Sequence, residues 1–93
     1  MKMMRFEWDE NKNRLNIRKD GIDFADAVDI FRPPMLTLQD DRENYGEERW
    51  IALGWIRAII GVVVYVERGG DVIRIISARK ATKKEEYRYE QNI

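Results

Sequence analysis

Two adjacent prolines, Pro33 and Pro34, divide this chain into segments with different hydrophobic periods, and that division constrains the fold most strongly. Before them, Phe24, Ala27, Val28 and Phe31 recur at helical spacing, which places one apolar stripe on one face of a helix opened by Asp23. Neither proline can donate a helical hydrogen bond, so the helix must stop there. After them the period falls to two, beginning with Met35-Leu36-Thr37-Leu38. One-sided helices followed by a run of strands predict an α+β domain.

The remaining elements follow from local signals. Arg5-Phe6-Glu7-Trp8 alternates and predicts a short strand. Asp9 can cap a helix through Asn11, Leu15 and Arg18, with Gly21 at its left-handed end. The polar turn Asp40 to Gly46 ends the first strand of the second half. Arg49 to Ile56, Ile59 to Arg68 and Val72 to Arg79 are expected to form consecutive paired strands, the last two joined by a Gly69-Gly70-Asp71 hairpin. Ile73, Ile75 and Ile76 point to burial on both faces, hence a place mid-sheet for the last strand. Thr82 and Glu85 form a capping box that opens a final helix through Tyr89. The order is β-α-α-β-β-β-β-α, with two helices covering one face of a twisted, mainly antiparallel sheet. Residues 1–93 contain no repeat or linker, so one domain is expected.

Composition removes whole classes of chemistry. The chain has no Cys and no His, which excludes disulfides, thiolate nucleophiles, histidine bases and the commonest transition-metal sites. Neither a metal nor a cofactor is expected. Met1 to Trp8 lacks the apolar core of a signal peptide, and the longest apolar run, Ala58 to Val66, is about half of what a membrane span needs. A cytoplasmic protein without a membrane partner is therefore expected. Cations and anions balance at seventeen each, yet eleven of the cations are Arg, the side chain suited to bidentate phosphate contacts.

Arg49, Glu67, Arg68, Arg74, Arg79 and Lys80 all fall on, or at the ends of, the three strands expected to pair. Arg74 interrupts Val72-Ile73-Arg74-Ile75-Ile76, where an unpaired guanidinium is costly to bury. It either pairs with Glu67 or Glu48 across the sheet or reaches into a groove to hold a phosphate. Lys80, Lys83 and Lys84 surround the start of the last helix, where free N–H groups favour an anion; the alternative is a solvated charged face. Trp8, Trp50, Trp55, Tyr45 and Tyr65 offer stacking surfaces, of which Trp8 is assigned with Phe6 to the core, while Trp50 and Tyr65 stay open. The acidic run Asp40-Asp41-x-Glu43 lacks the glycine offset of a calcium loop.

These residues also form a pattern. Phe6-x-Trp8-Asp9-x-x-Lys12, Lys19-Asp20-Gly21-Ile22-x-Phe24-x-x-Ala27, Glu48-Arg49-Trp50-Ile51-Ala52-Leu53-Gly54, Val64-Tyr65-x-Glu67-Arg68 and Arg74-Ile75-Ile76-Ser77-Ala78-Arg79-x-Ala81-Thr82-x-x-Glu85-x-x-x-Tyr89-Glu90 span nearly the whole chain. It resembles the BrnT ribonuclease toxins of bacterial type II toxin–antitoxin systems, in the RelE/ParE-like superfamily. The resemblance implies a RelE-like fold, translation shut-down by RNA cleavage, and a BrnA-like ribbon-helix-helix antitoxin through which alone operator DNA is bound. One departure is that Asp20 stands where the family pattern has His. In such enzymes the RNA 2′-OH attacks the adjacent phosphorus. That mechanism assigns Arg49, Arg74 and Arg79 to the phosphorane, Glu48 or Glu67 as base, and Lys19, Lys80 or Tyr65 as acid. Arg68, Lys80, Lys83, Lys84 and Trp50 are then the RNA-binding set, with no metal. The sheet face left open by the two helices is expected to be covered by the antitoxin. The competing readings are a module of this fold that binds without cleaving, favoured by Asp20 and the absence of His, and a plain RNA-binding domain.

Overall fold

The computed structural model describes residues 3–93; Met1 and Lys2, part of the opening segment considered above, lie outside the described residues. The chain runs β1 (Arg5–Glu7), α1 (Glu10–Asp20), α2 (Phe24–Ala27, continued by a 3-10 turn over Val28–Phe31), β2 (Leu36–Asp40), β3 (Arg49–Ile56), β4 (Ile59–Arg68), β5 (Val72–Lys80) and α3 (Lys83–Gln91). This is the expected order. The five strands form one sheet in the order β1-β5-β4-β3-β2. All neighbours are antiparallel except β1 and β5, which are parallel. Strand β5 is internal as expected, but the centre of the sheet is β4, whose Ile60 to Val66 is buried throughout.

Local chemistry fixes the connections. The Asp9 carboxylate accepts the N–H groups of Asn11 and Lys12, and Gly21, at φ 72°, ends α1 with its N–H on the Ile17 carbonyl. Gly69 and Gly70, in the three-residue loop between Arg68 and Val72, both take positive φ, which glycine adopts without steric cost. The β3–β4 turn solves the same problem without glycine: Arg57 sits at φ 52°, with its N–H on Asp29 and its guanidinium on Asp26 at 3.0 Å.

Helices α1 and α2 cover one face over a core of Ile22, Phe24, Ala27, Ile30, Val63 and Ile75, among others, with Phe6 and Trp8 packed against it. The stripe expected on α1 is not the buried one. Leu15 is 61% exposed, and the residues α1 buries are Asn13 and Asn16. Helix α3 adds something absent from the sequence expectation. It crosses to the opposite face, where Tyr89 packs with Leu53, Ile60, Val62 and Ala81 and donates its hydroxyl proton to the Pro34 carbonyl at 2.7 Å. Part of the second face is therefore covered from within the chain. Among the described residues no helix is long and apolar enough to cross a membrane.

Candidate active site

Directly paired strand residues share a face of the sheet, so the register assigns each charged side chain. On the α3 face, Arg49 lies opposite Asp40, Arg74 opposite Val66 and Glu7, and Arg79 opposite Val62. Arg74 and Arg79 are five residues apart and would point to opposite faces of a regular strand. A β-bulge corrects this: Val64 pairs with Ser77 but Tyr65 with Ile75, leaving Ile76 as the extra residue. The bulge brings the two arginines to one face.

Most guanidiniums on this face hold a carboxylate. Arg74 Nη1 donates to Glu7 at 2.8 Å. The partners expected for it, Glu67 and Glu48, are replaced by a residue of β1, because the parallel β1–β5 pairing sets Glu7 beside Arg74. Arg79 forks onto Glu85 at 2.7 and 2.8 Å. That fork, helped by the Thr82 N–H, holds Glu85 down at about 2. The same bond raises Arg79, supported by the charge of Asp20 and opposed by that of Arg42, so both side chains act electrostatically on Arg79. Arg42 forks onto the buried Asp40 at 2.7 and 2.8 Å and holds its carboxyl below the usual range.

Arg49 is different. Its guanidinium lies 4.0 Å over the Tyr45 ring, its nearest carboxylate, Glu47, is 3.6 Å away, and its Nε is shut from solvent without a hydrogen-bond partner. Buried polar groups are rarely left so. Glu47 in turn accepts from Arg68 at 3.3 Å and is thus shared loosely by two arginines.

The other sequence candidates lie elsewhere. Glu48, Glu67, Trp50 and Arg68 line a shallow cavity of about 440 Å³ at the sheet's end, together with Glu47 and Val66. Glu67 is registered with Ile73, on the face that carries α1 and α2. Tyr65 pairs with Trp50 on that same face and is buried, its ring edge-on to Phe31 at 5.0 Å. Burial pushes its phenol up. Lys19 is exposed in the last turn of α1, and Lys80, Lys83 and Lys84 are exposed from the end of β5 into the first turn of α3. The arginines therefore share one face, whereas Tyr65 and Trp50 stand behind the sheet from them. The sequence reading includes neither Glu47 nor Arg42 in the site and takes Tyr45 only as a stacking surface. Counting strand parity back two residues from Arg49 places Glu47 on the arginine face; Arg42 and Tyr45 lie in the polar turn after β2, where no strand period assigns a face.

A family described as "Ribonuclease toxin, BrnT, of type II toxin-antitoxin system" matches residues 8–85. The fold is similar to the 1.1 Å crystal structure of the Brucella abortus ribonuclease toxin BrnT, with a TM-score of 0.72 and 30% sequence identity, covering 87% of this chain and 100% of that one. The search of curated proteins gave no match. With a family match over most of its length and a shared fold, the chain belongs to the BrnT family of ribonuclease toxins of type II toxin–antitoxin systems.

Proposed function

We propose that the arginine-bearing face cleaves RNA by in-line attack of a ribose 2′-OH on the adjacent phosphorus, releasing a 5′-OH and leaving a 2′,3′-cyclic phosphate. The observation that carries this reading is Arg49, a half-buried arginine whose Nε is shut from solvent without a hydrogen-bond partner, on the same sheet face as Arg74 and Arg79. Such preorganised cations favour the dianionic phosphorane over the monoanionic diester. Glu47, on the same face, takes the role of base ahead of Glu48 and Glu67 at the sheet's end. The leaving oxygen takes its proton from one of the exposed lysines, Lys19 or Lys80, a role that buried Tyr65 fits less well. Arg68, Lys83 and Lys84 guide the RNA backbone, and Trp50 offers a ring at the cavity edge. Cleavage needs no metal in this scheme and inhibits translation in the cytoplasm. A BrnA-like ribbon-helix-helix antitoxin covers the face and carries the complex to operator DNA.

The second reading, binding without cleavage, has one observation in its favour: Arg42, Arg74 and Arg79 already hold carboxylates at 2.7–2.8 Å. Single-stranded RNA incubated with the purified chain in EDTA separates the two. Cleavage with cyclic-phosphate ends, reduced about 10²-fold or more by Arg49→Ala, is expected. RNA retained but uncut supports the second reading, and restoration only by Mg²⁺ overturns the 2′-OH scheme.

A further inference from the structure

We propose that Asn16 is a positioning residue that keeps Arg79 on the face of Arg74 and Arg49 by standing in for a missing strand beside β5. Strand β1 pairs with β5 only from Val72 to Arg74. Beyond that point the chain turns away into α1, and among the described residues β5 has no strand on this side. Asn16 takes its place. Its Oδ1 accepts the Ala78 N–H at 3.1 Å, and its Nδ2 donates to the Ala78 carbonyl at 2.8 Å and to the Ile22 carbonyl at 2.9 Å. One carboxamide thus supplies both bonds that a neighbouring strand residue would exchange with Ala78.

The location gives these bonds their consequence. Ala78 is fully buried, two residues after the bulged Ile76 and one before Arg79. Only the bulge offset puts Arg74 and Arg79 on one face. Without Asn16, the Ala78 N–H and carbonyl would be buried and unpaired, and the bulge would lose its anchor on this side. Asn13 is a comparator built into the same helix. It is equally buried, but it bonds the Phe24 N–H at 2.8 Å and the Asp23 carboxylate at 3.0 Å and makes no hydrogen bond to β5.

The functional half of this inference rests on the ribonuclease reading; the structural half does not. The test uses the whole chain, isotope-labelled, as wild type, Asn16→Ala and Asn13→Ala. Nuclear magnetic resonance follows Ala78 amide exchange and the cross-strand contact between Val62 and Arg79, and cleavage kinetics separate kcat from KM. Asn16→Ala is expected to lose Ala78 protection, break the Val62–Arg79 contact and lower kcat by about 10²-fold with KM within about threefold. Asn13→Ala is expected to keep register and kcat while melting earlier. An intact Val62–Arg79 contact in Asn16→Ala overturns the proposal, as does an equal kcat loss in both variants at equal distance from their melting points. If Asn16→Ala does not fold, Asn16→Ser, whose hydroxyl is too short to span both Ala78 groups, is judged by the same measurements. Wild-type chain that leaves RNA uncut refutes the ribonuclease reading, and the register measurement still decides the role of Asn16.

Discussion

Helix α1 buries two asparagines on one side of the sheet, whereas α3, on the other side, buries a tyrosine. Each helix is about ten residues long and carries an N-cap of good geometry. What differs is how each attaches. Helix α1 docks through hydrogen bonds from Asn13 and Asn16, with Leu15 left in solvent. Helix α3 docks through the Tyr89 ring among Leu53, Ile60 and Val62. Apolar burial is strong and tolerant of small shifts, because it scales with area and has no direction. Hydrogen bonds add less net stability but fix position to a fraction of an ångström. The helix that braces the bulge beside Arg79 is therefore the one held by the directional contact.

Truncating Tyr89 breaks the comparison on its apolar side and is expected to have the largest effect. Tyr89→Ala removes a fully packed ring and should cost about 3–5 kcal/mol, enough to bring a domain of this size near its unfolding limit. Tyr89→Phe loses only the bond to the Pro34 carbonyl, so a cost of about 1 kcal/mol is expected. Chemical denaturation of both variants checks the ratio. On the polar side, Asn13→Ala leaves the buried Phe24 N–H without its acceptor and should cost about 1–3 kcal/mol. Leu15→Ala is expected to stay within about 0.5 kcal/mol, despite deleting the larger apolar group. If Leu15→Ala were the costlier of the two, α1 would be docked by apolar contact and the contrast would fail.

The same contrast decides what could be read from the sequence. The meander from Arg49 to Lys80 and the capping box at Thr82 were legible, because alternation, turn glycines and the T-x-x-E spacing are local signals. The docking face of α1 was not, since a helix attached by asparagines leaves no hydropathy stripe; Leu15 drew attention that belonged to Asn16. Arg49, Arg74 and Arg79 stand out in the sequence as candidate site residues, but their common face does not, because the bulge at Ile76 shifts strand parity without a glycine or proline to mark it. Glu7 as the partner of Arg74 was equally hidden. That ion pair joins residues sixty-seven apart, through a parallel pairing that no hairpin announces.

Acid sharpens the comparison on the α3 side. Glu85 accepts from the Thr82 N–H at 2.9 Å and from Arg79 at 2.7 and 2.8 Å, so one carboxylate both caps α3 and restrains a site arginine. Arg79 first, and then the cap, hold Glu85 at about 2. A carboxylate depressed in the folded state stabilises fully above its unfolded pKa, and that contribution is lost as pH falls toward the folded value. The decline should therefore run from about pH 5 down to about pH 2, and partial exposure of both side chains limits it to about 1–2 kcal/mol. Glu85→Gln retains the capping acceptor but removes the charge. Thermal melts of wild type and Glu85→Gln across this range should show the wild type's advantage shrinking as the carboxylate protonates. A constant gap would mean that the fork on Arg79 orients the arginine without stabilising α3, and the hydrophobic attachment through Tyr89 would then account for that helix alone.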